Sequence, residues 1–177
     1  VVGNLTGSGS TVLGVNKLAI SNANGTYSGV MSGTGGLTLT TGTLTLSGAN
    51  TYTGATTVSA GTLAITNATG LGTTSAGTTI ASGATLDLQN VAVLAEAITI
   101  NGGTLATSTG TSSLSGAISL GASGSTFSVA GTKLTLSGII SGSNGFTKTG
   151  SGALVLDNAN TYTGTTTIYD GTLVISN

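Results

Sequence analysis

The sequence predicts an all-β chain that winds as a single-stranded parallel β-helix of about eight coils, each roughly 20 residues long. Three observations lead to this fold class. Leucine recurs at nearly constant spacing along the 177 residues, apolar and polar residues alternate around each of these leucines, and Gly or Asn stands at fixed positions on either side. Alternation with a period of two is typical of a strand with one buried face.

The recurring leucines follow a Gly-Thr or similar pair. They are Leu18, Leu44, Leu63, Leu86, Leu105, Leu134, Leu154 and Leu173. The residue two positions later is apolar in every unit but one, the series being Ile20, Leu46, Ile65, Leu88, Thr107, Leu136, Leu156 and Ile175. Small or polar residues stand between them, so each site is predicted to be a short strand.

Bends are predicted on both sides of this strand, because Gly and Asn accept a left-handed backbone at low cost. Glycine precedes most of the leucines by two positions, as Gly42, Gly61, Gly103, Gly152 and Gly171, with Gly83 and Gly131 one place earlier. Four positions after the leucine stand Asn22, Asn67, Asn90, Asn158 and Asn177, with Gly48 and Gly138 in two other units.

A second apolar column lies five positions before the leucine and comprises Leu13, Leu39, Val58, Ile100, Val129 and Ile168, with Ile80 shifted by one. Each unit therefore contains a strand, a bend, a second strand, a second bend and a variable return, which describes one coil of a solenoid whose leucines stack in the interior. An antiparallel β-sandwich is the alternative, since it also combines short strands with turn signals. The column spacing and the lack of two-residue hairpin turns favour coils.

The composition excludes several classes of function. Charged residues make up 4 % of the chain, with three lysines, no arginine and a net charge of −1, which argues against nucleic-acid binding. There is no His or Cys, so imidazole catalysis and thiolate ligands are excluded. The sequence contains no run of about 20 apolar residues, so no membrane-spanning helix is predicted. The start of the chain lacks a signal-peptide pattern, so we expect a processed chain or part of a longer one.

The acidic residues are scattered rather than paired. Asp87, Glu96, Asp157 and Asp170 stand at different offsets from the nearest leucine of the series, whereas glycoside hydrolysis needs two carboxylates flanking one bond. We therefore expect no enzymatic activity, no cofactor, and no catalytic, cofactor-binding or metal-binding residues. A polysaccharide-active β-helix enzyme that uses Asp87 and Asp157 is the alternative.

A longer repeat lies above the coil period. The segment Asn50-Thr51-Tyr52-Thr53-Gly54 recurs later in the chain as Asn160-Thr161-Tyr162-Thr163-Gly164. Both copies continue through the same pattern, with Thr56, Thr57, Val58, Gly61, Thr62, Leu63, Ile65 and Asn67 matching Thr166, Thr167, Ile168, Gly171, Thr172, Leu173, Ile175 and Asn177. We predict one solenoid segment over 1–177 that contains superrepeat copies at about 30–67 and 139–177.

These motifs resemble the passenger-associated transport repeat, also called the autotransporter-associated β-strand repeat. That family has an Ile-Ser-Gly start, a Leu-Thr-Lys-Xaa-Gly-Xaa-Gly-Thr-Leu-Thr-Leu-Ser-Gly middle and an Asn-Thr-Tyr-Thr-Gly-Xaa-Thr-Thr-Val end. The resemblance covers 30–67 and 139–177, while 68–138 resembles more degenerate coils. Lys148 keeps the lysine of the family pattern, and Leu39 replaces it in the first copy.

The resemblance implies a passenger region of a Gram-negative autotransporter, folded as a right-handed parallel β-helix outside the outer membrane, with repeats associated with export. We therefore expect a structural or adhesive stalk segment at the bacterial cell surface. The expected partners are further copies of the chain, meeting laterally or end to end, or a cell-surface or matrix ligand. The alternative is a self-assembling extracellular filament joined through uncapped β-helix edges.

Residues flanking the leucines are predicted to form one flat, uncharged, partly apolar outward face suited to lateral association or adhesion. They are Lys17, Thr43, Thr62, Thr85, Thr104, Lys133, Ala153 and Thr172 before the leucine, and Ala19, Thr45, Ala64, Asp87, Ala106, Thr135, Val155 and Val174 after it. Only Thr43 and Thr45 form a Thr-x-Thr pair around the leucine, so ice binding is not expected. Tyr52 and Tyr162 are predicted to be packing anchors rather than a ligand platform.

Overall fold

The computed structural model describes residues 1–176, which fold as a parallel β-solenoid. In chain order the strands are β1 (Thr11–Val12), β2 (Leu18–Ile20), β3 (Ala23–Tyr27), β4 (Met31–Ser32), β5 (Leu37–Leu39), β6 (Gly42–Leu46), β7 (Thr56–Val58), β8 (Thr62–Ile65), β9 (Thr78–Ile80), β10 (Thr85–Leu88), β11 (Ala92–Val93), β12 (Ile98–Asn101), β13 (Thr104–Thr107), β14 (Thr111–Leu114), β15 (Ile118–Ala122), β16 (Thr126–Val129), β17 (Lys133–Leu136), β18 (Ile140–Ser141), β19 (Phe146–Thr149), β20 (Ala153–Leu156), β21 (Thr166–Ile168) and β22 (Thr172–Ile175).

Each coil has three sides, and the strand pairings between coils are parallel. Sheet 1 has seven strands, in the order β18-β15-β12-β9-β7-β5-β2, and sheet 2 has eight, in the order β21-β19-β16-β13-β10-β8-β6-β3. The third side carries sheet 3, which pairs β1 with β4, and the five-stranded sheet 4, in the order β11-β14-β17-β20-β22. The predicted parallel β-helix is confirmed, because the ladders join each strand to its counterpart one coil away.

Inward side chains stack in columns that run the length of the solenoid. On sheet 1 the column contains Ile20, Leu39, Val58, Ile80, Ile100 and Leu120. On sheet 2 it contains Leu44, Leu63, Leu86, Leu105, Phe127, Lys148 and Ile168. Nearly all of these apolar side chains are fully buried. Burial at roughly 25 cal/mol per Å² is the main driving force for stacking successive coils.

The leucine series predicted from the sequence is not one stack, and this expectation was wrong. Leu18 lies on sheet 1, the members from Leu44 to Leu105 lie on sheet 2, and those from Leu134 to Leu173 lie on sheet 4. One coil separates ladder partners such as Leu18 and Leu37. The intervals from Leu18 to Leu44 and from Leu105 to Leu134 are longer than one coil, and each marks a step to the next side.

The predicted glycine bends are confirmed at several corners. Gly42, Gly61, Gly83 and Gly171 have φ values of 89°, 78°, 75° and 72°, in the left-handed region. At Gly61 a Cβ would stand 2.1 Å from the carbonyl oxygen of Gly42 in the preceding coil. The corner therefore needs glycine both for its backbone conformation and for the close approach of two coils.

The asparagine bends are only partly as predicted. Asn90 adopts a left-handed conformation with φ of 50°. Asn67 and Asn158 act through their side chains instead, since each Nδ2 donates to a backbone carbonyl of the preceding coil, at 3.4 and 2.8 Å. Asn177 lies outside the described residues. Asparagine at these corners therefore joins neighbouring coils more often than it reverses the backbone.

The third side is interrupted in the middle of the solenoid. Residues 47–55 and 66–77 connect sheet 2 to sheet 1 without a strand, between the end of sheet 3 and the start of sheet 4. After the interruption, residues 90–97 contain β11 and two non-glycine residues with a left-handed backbone, Asn90 and Ala95. Within residues 1–176, no helix has the length and apolar character needed to cross a membrane.

Candidate functional site

The asparagine of each Asn-Thr-Tyr-Thr-Gly segment joins its coil to the preceding one. The backbone N–H of Met31 donates to Asn50 Oδ1 at 2.9 Å, and the N–H of Ile140 donates to Asn160 Oδ1 at 2.8 Å. Asn50 Nδ2 also donates to the carbonyl of Gly70 in the next coil at 2.7 Å. An amide side chain carries both a donor and an acceptor, so Asn50 links three successive coils.

The tyrosine of the same segment is a packing anchor. Tyr52 is fully buried, and its hydroxyl lies 2.7 Å from Thr56 Oγ1. Tyr162 makes the same contact with Thr166 at 2.7 Å, although it is only partly buried. Burial raises the pKa of Tyr52 well above its ordinary value. The predicted anchor role is confirmed for Tyr52, whose ring is inaccessible to a ligand.

The two superrepeat copies occupy different sides of the solenoid. Asn50 follows a sheet 2 strand and lies over Met31 on the third side, whereas Asn160 follows a sheet 4 strand and lies over Ile140 on sheet 1. The offset between the copies therefore equals five coils plus one further side. The local contacts are preserved because they depend on the adjacent coil, not on which side of the coil carries them.

Lys148, the lysine of the family pattern, lies inside the solenoid. It occupies the inward column of sheet 2 between Phe127 and Ile168 and is fully buried. Its Nζ donates to the backbone carbonyls of Thr149, Gly150 and Asp170 at 2.9, 2.6 and 3.0 Å. Burial lowers the pKa of this ammonium, and the Asp170 carboxylate opposes the shift. All three carbonyls belong to one corner, so the role of Lys148 is to stabilise that corner of the solenoid.

The acidic side chains lie in separate places. Asp87, on the outer surface of sheet 2, accepts hydrogen bonds from Ser108 N–H at 2.9 Å, Ser108 Oγ at 2.6 Å and Gln89 Nε2 at 2.8 Å. Asp157 and Asp170 are exposed at other corners, and Glu96 is buried near sheet 1. Within residues 1–176 no group of three or more His, Cys, Asp or Glu side chains could hold a metal ion. The expectation that the chain has no site residues stays a prediction.

The predicted outward face is divided among the three sides of the solenoid, because the leucines that its residues flank lie on all three sides. Sheet 2 nevertheless carries a longer threonine column than the sequence indicated. Its outward positions are Thr43, Thr62, Thr85, Thr104, Thr126, Thr147 and Thr167 in one ladder, and Thr26, Thr45, Ala64, Asp87, Ala106, Ser128 and Thr149 in the next. The sequence analysis placed threonines on the face only where they flank a recurring leucine. Thr126, Thr147 and Thr167 were therefore not predicted. Their strands have Phe127, Lys148 and Ile168 in place of that leucine. We name this surface the threonine face.

The threonine face carries little exposed charge. Asp87 is its one charged residue in these two columns, and it is 5 % exposed beneath its three hydrogen bonds. Adjacent strands of a sheet are about 4.8 Å apart, so hydroxyl and methyl groups repeat at that interval along the solenoid. Such a surface offers van der Waals contact and hydrogen bonding without the desolvation of charge.

A groove opens where the third side lacks strands. It has a volume of about 410 Å³, and Glu96 lies in its wall. Its apolar lining residues are Ala49, Ala68, Leu71, Val93 and Leu94, and the other lining residues are Asn50, Thr51, Thr69, Gly72, Thr73 and Thr74. Thr78 Oγ1 donates to Glu96 Oε1 at 2.7 Å. Burial raises the pKa of the Glu96 carboxyl, and this hydrogen bond opposes the shift. No pattern in the sequence indicates the groove, because its residues come from three successive coils.

Comparison with known proteins agrees with the motifs. The model of the passenger-associated-transport-repeat family matches residues 41–65 and 146–175. Neither the curated proteins nor the solved structures contain a significant match to this chain. The first matched segment holds β6 to β8, and the second holds β19 to β22. The resemblance predicted from the sequence is therefore confirmed, and these two segments of the β-solenoid are similar to passenger-associated transport repeats.

Proposed function

We propose that the chain is a non-enzymatic stalk segment of an autotransporter-type passenger, displayed outside the outer membrane of a Gram-negative bacterium. The observation that carries this proposal is the continuous parallel ladder, in which two segments match the passenger-associated transport repeat. A solenoid of this kind projects whatever is attached to it, because its length grows with each coil while its cross-section stays constant.

The coil architecture also suits export. Each coil pairs mainly with its immediate neighbours, so folding can advance one coil at a time as the chain emerges. Asn50 and Lys148 would each hold its own corner to the backbone of the adjacent coil as soon as that corner forms. Folding outside the cell would then oppose backward movement of the chain, because the stacked apolar columns would have to be exposed again.

Surface display tests the stalk proposal. Residues 1–177 would replace part of the passenger of a surface-displayed autotransporter, and display would be measured by protease accessibility in intact cells. We expect efficient display of the native segment. A Leu86→Asn and Leu105→Asn variant should reduce it, because two buried column positions become polar, whereas Thr57→Asn and Thr99→Asn, outward on sheet 1, should not. Display that does not depend on the folded segment would contradict the proposal.

The adhesive part of the proposal concerns the threonine face, which supports lateral association between copies or contact with another surface. Sedimentation of the purified chain would measure association between copies. Thr62→Lys with Thr104→Lys should weaken it, because two exposed charges enter the contact surface. Thr57→Lys with Thr99→Lys, at outward positions of sheet 1, is the matched control and should have no effect. Equal effects of the two pairs would contradict a role for the threonine face.

A filament is the second candidate. Ile168 and Ile175 occupy inward positions of the last coil that the structure describes, opposite Lys148 and Leu156, and are 50 % and 63 % exposed there. A coil of a second copy stacked on them would cover this apolar surface and extend the ladders. Electron microscopy of the concentrated chain should then show long fibrils that are lost in Ile168→Lys with Ile175→Lys. Dispersed short rods at high concentration would contradict the filament.

A further inference from the structure

The groove on the third side has the dimensions of a small-molecule site. Its volume is about 410 Å³, and ligand sites in proteins typically measure roughly 300–1,000 Å³. It exists because residues 66–77 cross the third side without a strand, which separates the coil before them from the coil that begins sheet 4. Sheet pairing therefore does not fill this part of the surface.

The groove contains one charged side chain. Glu96 is 3 % exposed, yet it belongs to the groove wall. Its Oε1 accepts the Thr78 hydroxyl, while none of the hydrogen bonds within residues 1–176 reaches Oε2. No lysine lines the groove. A buried carboxylate without a cationic partner is costly, so the wall offers an uncompensated acceptor to whatever enters.

The remaining walls are predominantly apolar. Leu71 and Val93 are buried beside the groove, whereas Leu94 is 70 % exposed at its edge. Leu94 precedes Ala95, a non-glycine residue held at φ of 53°. Left-handed backbone is unfavourable for alanine, so this bend is imposed by the surrounding fold and fixes the position of Leu94. A hydrocarbon body lying against these side chains would remove apolar surface from water.

We propose that this groove binds a small primary amine with an apolar body, with the ammonium group at Glu96 Oε2 and the hydrocarbon against Leu71, Val93 and Leu94. The carboxylate selects a cation over an anion, and the apolar walls select an aryl or alkyl amine over a hydrated inorganic cation. A hydrogen bond between an ammonium group and a carboxylate is stronger than one between two neutral groups. This site is separate from the threonine face, because none of the residues that line the groove belongs to that face.

Titration of the purified chain with 2-phenylethylamine, followed by amide chemical shifts, tests the proposal. We expect saturable shifts confined to residues around the groove. Glu96→Gln should weaken binding by about tenfold or more, since it removes the charge while keeping an acceptor for Thr78. Asp157→Asn, which neutralises an exposed carboxylate outside the groove, is the matched control and should bind as the native chain does. The uncharged analogue 2-phenylethanol should bind the native chain weakly, with an affinity similar to that of the amine for the Glu96→Gln variant.

A second variant tests the groove independently, in case Glu96→Gln alters the fold. Ala68 is exposed in the groove wall, so Ala68→Trp narrows the groove without altering the core. It should abolish saturable shifts while the other amide signals stay in place. Absence of saturable shifts in the native chain would overturn the proposal. Undiminished binding in both variants, or equal weakening by Asp157→Asn, would do so as well.

Discussion

Single side chains connect the coils of this solenoid. Asn50, Asn160 and Lys148 bond to the backbone of adjacent coils, and Tyr52 fills the interior while its hydroxyl meets Thr56. Such bonds satisfy backbone groups at corners, where the sheet ladders end. The most specific residues of the repeat therefore stabilise corners, whereas interchangeable apolar residues fill the columns between them.

Replacing Tyr52 by Phe tests how much the hydrogen bond between Tyr52 and Thr56 contributes to stability. Tyr52→Phe leaves the hydroxyl of Thr56, a residue that is 1 % exposed, without its partner. We expect the free energy of unfolding, measured by urea denaturation, to fall by about 1 kcal/mol. Tyr162→Phe is the matched comparison and should cost less, because Tyr162 is partly exposed. Native stability of Tyr52→Phe would contradict the role of this bond.

Thr107 is the one polar member of an otherwise apolar series, and it is fully buried with no hydrogen-bond partner for its hydroxyl among the described residues. Thr107→Val keeps the shape and removes the unsatisfied group. We expect the unfolding free energy to rise by about 1–2 kcal/mol. Thr104→Val, on the outward side of the same strand, should change it by less than about 0.5 kcal/mol. A loss of stability in Thr107→Val would show that the hydroxyl is satisfied.

At the scale of the element, corners constrain the chain more tightly than strands do. Thr, Ser, Ala and Asp all occupy the outward columns of sheet 2, because an outward position needs only to fit a pleated surface. A corner instead brings backbone against backbone in successive coils, as at Gly42 and Gly61. Glycine is therefore required at a corner by its neighbour as well as by its own dihedral angles.

Gly61 and Gly83 separate these two requirements. Both have positive φ, at 78° and 75°, but a Cβ at Gly61 would meet Gly42 O at 2.1 Å, whereas a Cβ at Gly83 would meet nothing within 4 Å. We expect Gly83→Ala to cost about 1–2 kcal/mol for the left-handed backbone. Gly61→Ala should cost at least about 2 kcal/mol more, since the coils must move apart. Thermal or urea unfolding would measure both, and equal losses would contradict the close approach.

At the scale of the whole molecule, the stability of a solenoid is a sum over coils and the contacts between neighbours. A column position in the middle is covered from both sides, whereas one in the last coil is covered from one. Leu86 is fully buried, and Ile175 is 63 % exposed although it also points inward. Position along the axis therefore decides the contribution of otherwise similar residues.

Two truncations measure this dependence on position. Leu86→Ala should lower the unfolding free energy by about 2–5 kcal/mol, because it leaves a cavity among packed neighbours. Ile175→Ala should lower it by less than about 1 kcal/mol, since its side chain is largely hydrated. Urea denaturation of both variants gives the comparison. A large loss in Ile175→Ala would indicate that another coil, such as that of a second copy, covers the position in solution.

The sequence by itself determined that the chain forms short strands with one apolar face, that glycine corners separate them, and that an Asn-Tyr motif recurs as a structural unit. These features depend on neighbours in the chain, which the sequence displays directly. Only the tertiary structure decided which leucines share a stack, because all three sides carry similar short strands and the coils differ slightly in length. Hydrogen bonding between coils sets that register. The same non-local pairing extends the threonine face through Thr126, Thr147 and Thr167, places Lys148 in an apolar column, and opens the Glu96 groove where pairing on the third side is interrupted.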